Sequence, residues 1–194
     1  MKKSPCLIAV AAAAVLTGCV VTSVYPYYTA KDLSFDPALA GSWTKIDDAD
    51  EQWKFEADGT NAYRLTCTSK SETNLMQAHL FKLGPERFLD LFTTDEMKDI
   101  QPPPIPSHLV LRVFQMTPSL RMAAMNYEWL GETLTNNPHA VRHLIIKEGN
   151  EGDGGRIVLT ADTAELQKFL LRNLKVEKAW KDVIELNRGP AAGK

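Results

Sequence analysis

The sequence predicts a mainly β domain with some α: an antiparallel barrel or strongly curved sheet of about eight strands, followed by one or two C-terminal amphipathic helices. Three observations carry that prediction. In "EQWKFEADGTNAYRLTC", Trp53, Phe55 and Ala57 alternate with Lys54 and Glu56, and Tyr63, Leu65 and Cys67 alternate with Arg64 and Thr66; a period of two is that of a strand with one dry face. Four further strand-like segments follow, separated by Gly and Pro turn signals. A period near 3.6 is sustained only late in the chain, after Asp162.

The first 18 residues stand apart. Lys2 and Lys3 precede a run from Leu7 to Leu16 made only of Leu, Ile, Val and Ala, which is the length of a signal-peptide apolar region and short of the roughly 20 residues a spanning helix needs. The run ends in Leu16-Thr17-Gly18-Cys19, which resembles the lipobox of bacterial lipoproteins. That resemblance implies cleavage between Gly18 and Cys19, acylation of Cys19, and anchoring in a bilayer by several acyl chains, where one chain alone would be marginal. It also implies a cell-envelope location. Val20, rather than Asp, after the Cys favours the outer membrane in that family. Residues 19–35 then read as lipidated Cys and tether, for "VVTSVYPYYTAKDLSF" has no sustained period; Tyr25, Tyr27 and Tyr28 could rest at a lipid interface.

Residues 36–194 form one domain. Losing Lys2 and Lys3 with the signal moves the formal charge from −2 to −4, which argues against nucleic acid as a partner. Of three cysteines, Cys6 leaves with the signal and Cys19 carries lipid, so Cys67 has no disulfide partner and is expected in the core.

Within the domain, Asp36 to Ala40 predicts a turn of helix with Pro37 at its first position, leading into a strand near Gly41. A two-residue loop at Asp58-Gly59 would place the apolar faces of the next two strands on opposite sides. A three-residue loop of Ala57, Asp58 and Gly59 pairs Trp53 with Tyr63 and restores a common face. Strands are expected over 75–83, 87–93, 108–116 and 120–127, then a short helix over 128–137 stopped by Pro138. Residues 141–147 and 156–160 predict a hairpin around "EGNEGDGG". Asp162 with Glu165 makes a capping box for a helix whose stripe is Leu166, Phe169, Leu170 and Leu174, continued by Trp180, Val183 and Ile184.

"FDPALAGSW", with Phe35, Leu39, Gly41 and Trp43, resembles the opening motif of lipocalins, in which a short helix leads to Gly-x-Trp on the first strand. The resemblance implies a lipocalin-like barrel with Gly41 and Trp43 as structural residues at its base, and it names no ligand. The chain departs from the pattern in lacking a Thr-Asp-Tyr equivalent, "TTDEM" at 93–97 lying elsewhere, and in the helix expected at 128–137.

No catalytic constellation is legible. His139 and His143 would align for a metal on a helix, but Pro138 and the following "LIIK" predict a strand, where they stand about 13 Å apart. "EGNEGDGG" lacks the ligand order of a calcium loop and reads as a solvated hairpin tip. Asp90, a charge among apolar neighbours in "RFLDLF", either faces solvent or lines a polar pocket. No cofactor is implied and no metal ligands are expected. Two functions fit: binding of an apolar or amphipathic small molecule, with Trp53, Phe55, Tyr63, Phe114, Met116 and Met122 lining the pocket, or work through the surface as an envelope structural module with a filled core and a protein partner. A large cavity inside the barrel would favour the first, and a packed interior the second.

Overall fold

The computed structural model describes residues 20–70, 72–93, 107–147 and 155–189; the expected signal peptide at 1–18, Cys19, the "QPPPIP" segment and most of "TTDEM" and "EGNEGDGG" lie outside them. In chain order the elements are β1 (Val21–Ser23), β2 (Gly41–Lys45), β3 (Gln52–Ala57), β4 (Tyr63–Thr68), β5 (Thr73–Leu83), β6 (Glu86–Thr93), β7 (His108–Gln115), β8 (Ser119–Ala124), helix α1 (Tyr127–Asn136), β9 (His143–Lys147), β10 (Gly155–Leu159), helix α2 (Thr163–Arg172), a 3-10 turn (Glu177–Trp180) and β11 (Val183–Arg188).

Strands β2 to β8 form an antiparallel meander, and β11 inserts between β8 and β2 to close it into an eight-stranded barrel. Strand number and closure agree with the lipocalin-like barrel expected, but the eighth strand is not the one predicted. The expected hairpin of β9 and β10 lies outside the barrel, joined to it through β1, which runs parallel to β10 and touches β7 at Ser23 and His108.

Residues 183 and 184, expected to continue a helical stripe, begin β11 instead. Val183 and Ile184 are β-branched, and from Ile184 on the pattern alternates: Leu186 is fully buried in the barrel while Glu185 and Asn187 point away. A seven-stranded wall with an open slot between β2 and β8 offers this segment backbone partners on both sides, β8 along Val183 to Asn187 and β2 along Leu186 to Arg188, which outweighs a short helical stripe.

The β3–β4 hairpin keeps the predicted common face with a different loop. Trp53 pairs with Cys67, not Tyr63, and Ala57 pairs with Tyr63. Asp58 to Ala62 make the loop, closed by the Asp58 N–H on the Ala62 carbonyl at 2.9 Å, with Gly59 at φ +74°. This register leaves Thr60 and Asn61 in the loop, where their polar side chains suit a turn, and adds the Ala57–Tyr63 rung.

Residues 20–35 are not a loose tether. Val21 and Tyr27 are buried, β1 belongs to the sheet, Leu33 bridges to Phe81, and the Ser34 N–H donates to the Leu80 carbonyl. The lack of a period in this stretch reflects several short contacts in succession rather than an absence of structure.

Two apolar clusters share one wall. The barrel interior holds Leu39, Trp43, Trp53, Phe55, Tyr63, Leu65 and their neighbours. The second cluster lies outside, where Phe81, Phe88, Val110 and Ala123 of β5 to β8 meet Tyr27, Leu130 of α1, Leu166, Phe169 and Leu170 of α2, and Trp180. Strands β5 to β8 are apolar on both faces because both faces are covered. Both helices are capped as their sequences require: Asn126 accepts from the Trp129 N–H and Asp162 from the Glu165 N–H.

Since β11 closes the barrel through Leu186, Leu186→Ala is expected to cost about 2–5 kcal/mol, read as a lower denaturant midpoint. Leu171→Ala, at a half-exposed site on α2, is expected to stay within about 0.5 kcal/mol in the same titration.

Candidate functional site

The barrel has a base and a mouth. At the base, the turn at Pro37 to Leu39 runs under the lumen and Trp43 fills it from β2, donating its indole N–H to the Leu39 carbonyl at 2.9 Å. Arg188 of β11 lies over the Trp43 ring at 5.1 Å and donates to the carbonyls of Ala38 and Ala40 at 2.8 and 2.7 Å. Gly41 sits at φ +129°, which favours glycine for its backbone, and a Cβ there would stand 3.1 Å from the Arg188 guanidinium, which would have to shift slightly to admit it. The expected structural roles of Gly41 and Trp43 thus have a visible cause, with Arg188 as a third member of the plug that the sequence did not announce.

At the mouth, the ends of β2 and β4 bring polar groups inward. Glu51 is buried, accepts the Trp53 indole N–H at 3.1 Å, and pairs with Lys45 Nζ at 3.0 Å. Beside them Cys67 is buried as expected. Burial, and next the charge of Glu51, push its thiol far above the ordinary range, so it is an inert core group rather than a nucleophile.

Of the six residues expected to line a pocket, Trp53, Phe55, Tyr63, Met116 and Met122 face the barrel interior and belong to its buried cluster. Phe114 does not. A β-bulge between Val113 and Gln115 breaks the alternation, so Val113 and Met116 both point inward while Phe114 turns out, 38% exposed. There it lies under the Arg112 guanidinium at 5.1 Å and lines an outer groove of about 600 Å³ with Leu174, Val176 and Trp180. A second outer groove of about 530 Å³ lies between Val141, Arg142 and the Lys168 to Arg172 stretch of α2. His139 and His143 lie in a turn and at the start of β9, so no helix face aligns them.

Asp90 is the largest departure from expectation. It neither faces solvent nor lines a pocket: it is fully buried on the outer face of β6. One oxygen accepts the Tyr27 backbone N–H at 3.0 Å, and the other lies in hydrogen-bond contact with His108 Nδ1 at 2.7 Å. Around this pair, His108 stacks on Phe92 at 4.9 Å, and His79, opposite Asp90 on β5, meets the Tyr28 ring at 4.8 Å. Burial holds His79 below the ordinary imidazole range, against the pull of Asp90. Burial, with Asp90 second, raises Tyr28 to about 12. The sequence alone sets Asp90 toward solvent or a polar pocket; the cover over its face comes from residues 20–35, which read there as tether. Asp90 and His108 are a carboxylate and an imidazole in hydrogen-bond contact, an arrangement found in catalytic sites, but here the other carboxylate oxygen holds backbone and the pair serves as a clamp.

Comparison of the chain with protein-family models, with curated proteins and with solved structures gives no match.

Asp90→Ala strands the Tyr27 N–H and the His108 ring proton in a dry site and is expected to cost about 2–4 kcal/mol, with faster hydrogen exchange at the Tyr27 amide. Asp90→Asn keeps an acceptor and is expected to cost less. Cys67 is expected to resist an aromatic disulfide reagent at neutral pH until the chain is unfolded. Its folded thiol titrates above the unfolded one, so the stability it contributes holds below the ordinary thiol range and falls as pH rises through and beyond it; Cys67→Ala removes that alkaline slope.

Proposed function

We propose that the chain is a lipid-anchored protein of the bacterial cell envelope, held to the bilayer by acylated Cys19, and that it works by binding through its outer surface, the barrel serving as a rigid filled scaffold. The observation that carries this reading is the state of the lumen. An eight-stranded barrel is just wide enough for its own side chains to fill, and here Trp43, Tyr63, Leu65, Ala78, Leu80, Leu89, Leu120, Met122 and Leu186 are each 0% exposed within one contiguous cluster. The two grooves of several hundred Å³ described above both open on the outside, beside the helices. The lipobox-like start and the apolar run before it support the anchor, and no helix among the described residues is long and apolar enough to cross a membrane.

A second reading, a carrier of apolar or amphipathic small molecules, has one observation in its favour. Interior residues toward the mouth keep some exposure, 8% at Met76 and Leu109 and 5% at Cys67, and Lys45 and Glu51 supply polar partners there. Such a ligand would bind at the mouth, above the filled base.

Native mass spectrometry separates the two. Protein extracted gently from its own membranes is expected to carry acyl mass on Cys19, and the Cys19→Ala form is expected to leave the membrane fraction and to give a bare mass. A reproducible extra mass on both forms, released by organic solvent, overturns the filled-scaffold reading in favour of the carrier.

A further inference from the structure

Beyond its mouth the barrel wall is prolonged by β1, β10 and β9, and the two faces of this three-stranded extension differ. Val21 and Ile157 stand side by side at 2% and 1% exposure, packed in the outer cluster under the helices. Alternation sends Val20, Thr22, Arg156, Val158, Leu144 and Ile146 to the other face, with Arg156 opposite Ile146. Val20 packs against the barrel-interior cluster, as do Ala124 and Ile184 near the ends of β8 and β11. This second face is therefore the lumen wall continued past the mouth. At its far side Leu144 and Ile146 are 58% and 42% exposed, and Ile145 on the face toward the helices is 48% exposed, on a strand that pairs among the described residues only with β10, whereas a soluble edge is ordinarily protected by charge or proline.

We propose that this face is seated on the lipid bilayer. The inference rests on the acylation of Cys19 proposed above. The occupant follows from covalent geometry: Cys19 is the residue before Val20, so consecutive Cα atoms place the acylated residue about 3.8 Å from a member of this face. The segment cannot swing the domain away from its lipid. The Ile157 N–H donates to the Val20 carbonyl, the Val24 N–H to the Leu159 carbonyl, and the Tyr27 N–H to Asp90. Acyl chains leaving that point enter a bilayer only with the domain close against it, and the side nearest the anchor is the one that exposes Leu144 and Ile146. Apolar side chains at this position would enter the headgroup and upper acyl region, as on interfacial helices.

The test uses the full acylated chain in vesicles of phosphatidylethanolamine and phosphatidylglycerol with doxyl-labelled lipid. Bimane is carried at Leu144→Cys, an exposed site whose replacement leaves the core intact, or at Lys168→Cys on the outer side of α2. Flotation is scored first. With the protein floating, fluorescence at position 144 is expected to fall about twofold against unlabelled lipid, and at position 168 to stay unchanged. A floating protein with equal, unquenched signals at both positions overturns the seating and leaves the anchor standing. Disulfide-linked dimers formed by the unlabelled Leu144→Cys protein in the same vesicles, together with an unquenched bimane signal from the labelled one, overturn it in favour of a second copy at the β9 edge. A chain that does not float overturns the anchor and the seating together.

Discussion

The carboxylate of Asp90 determines how the N-terminal segment lies on the barrel. A buried carboxylate is tolerated only where donors replace water, and the two available here come from different parts of the chain: His108 on the neighbouring strand and the Tyr27 backbone. Because one donor is a backbone N–H, the segment must cross β6 at a fixed residue. Tyr27 is then buried beneath α2, whose Gln167 donates to the Tyr27 carbonyl at 3.0 Å while Thr163 donates to that of Pro26 at 2.8 Å. Barrel wall, N-terminal segment and α2 are thereby positioned by one another.

The same wall separates two cores with different tasks. The inner one sets the barrel through the Trp43 plug and the closure by β11. The outer one sets everything attached to it, because the chain leaves the barrel after β8, lays α1, α2 and the 3-10 turn over the outer face of β5 to β8, and returns as β11. Arg112 shows how these parts are tied: from β7 it donates to the Leu174 carbonyl beyond α2 at 2.6 Å and to Glu86 on β6 at 2.8 Å. A barrel that merely enclosed a ligand would have no need of a second core. A barrel that presents a surface in a fixed direction does.

Elements with a strong period were legible in the sequence: β3 to β8, both helices, the Asp162 cap of the second, and the common face of the first hairpin. Periodicity also placed Cys67, Trp53, Phe55 and Tyr63 inside. It failed where another constraint intervened. The bulge at Phe114 inserted one residue into the alternation, Val183 and Ile184 answered to an open slot in the wall rather than to the preceding helix, and residues 20–35 are held by isolated backbone contacts that leave no periodic trace. Asp90 was visible as an anomaly, a charge among apolar residues, but its meaning depended on that same untraced segment. A buried carboxylate predicts that donors exist and says nothing about where in the chain they lie.

The order of residues 20–35 also changes what an anchor at Cys19 can do. Sixteen residues of flexible tether would reach about 55 Å when extended and would leave the domain free to turn in any direction. With Val20 already packed at the barrel mouth, that freedom is gone, and the lipid attachment proposed for the next residue would fix the side of the domain that faces the bilayer as well as its distance. The outer grooves beside Phe114 and beside Arg142 then have fixed positions relative to the membrane. A partner in the envelope would meet them in one orientation, which lowers the rotational entropy lost on association compared with a freely tumbling domain. The rigid N-terminal segment is thus the step that would join a filled barrel to the proposed surface function, which depends on where the molecule sits.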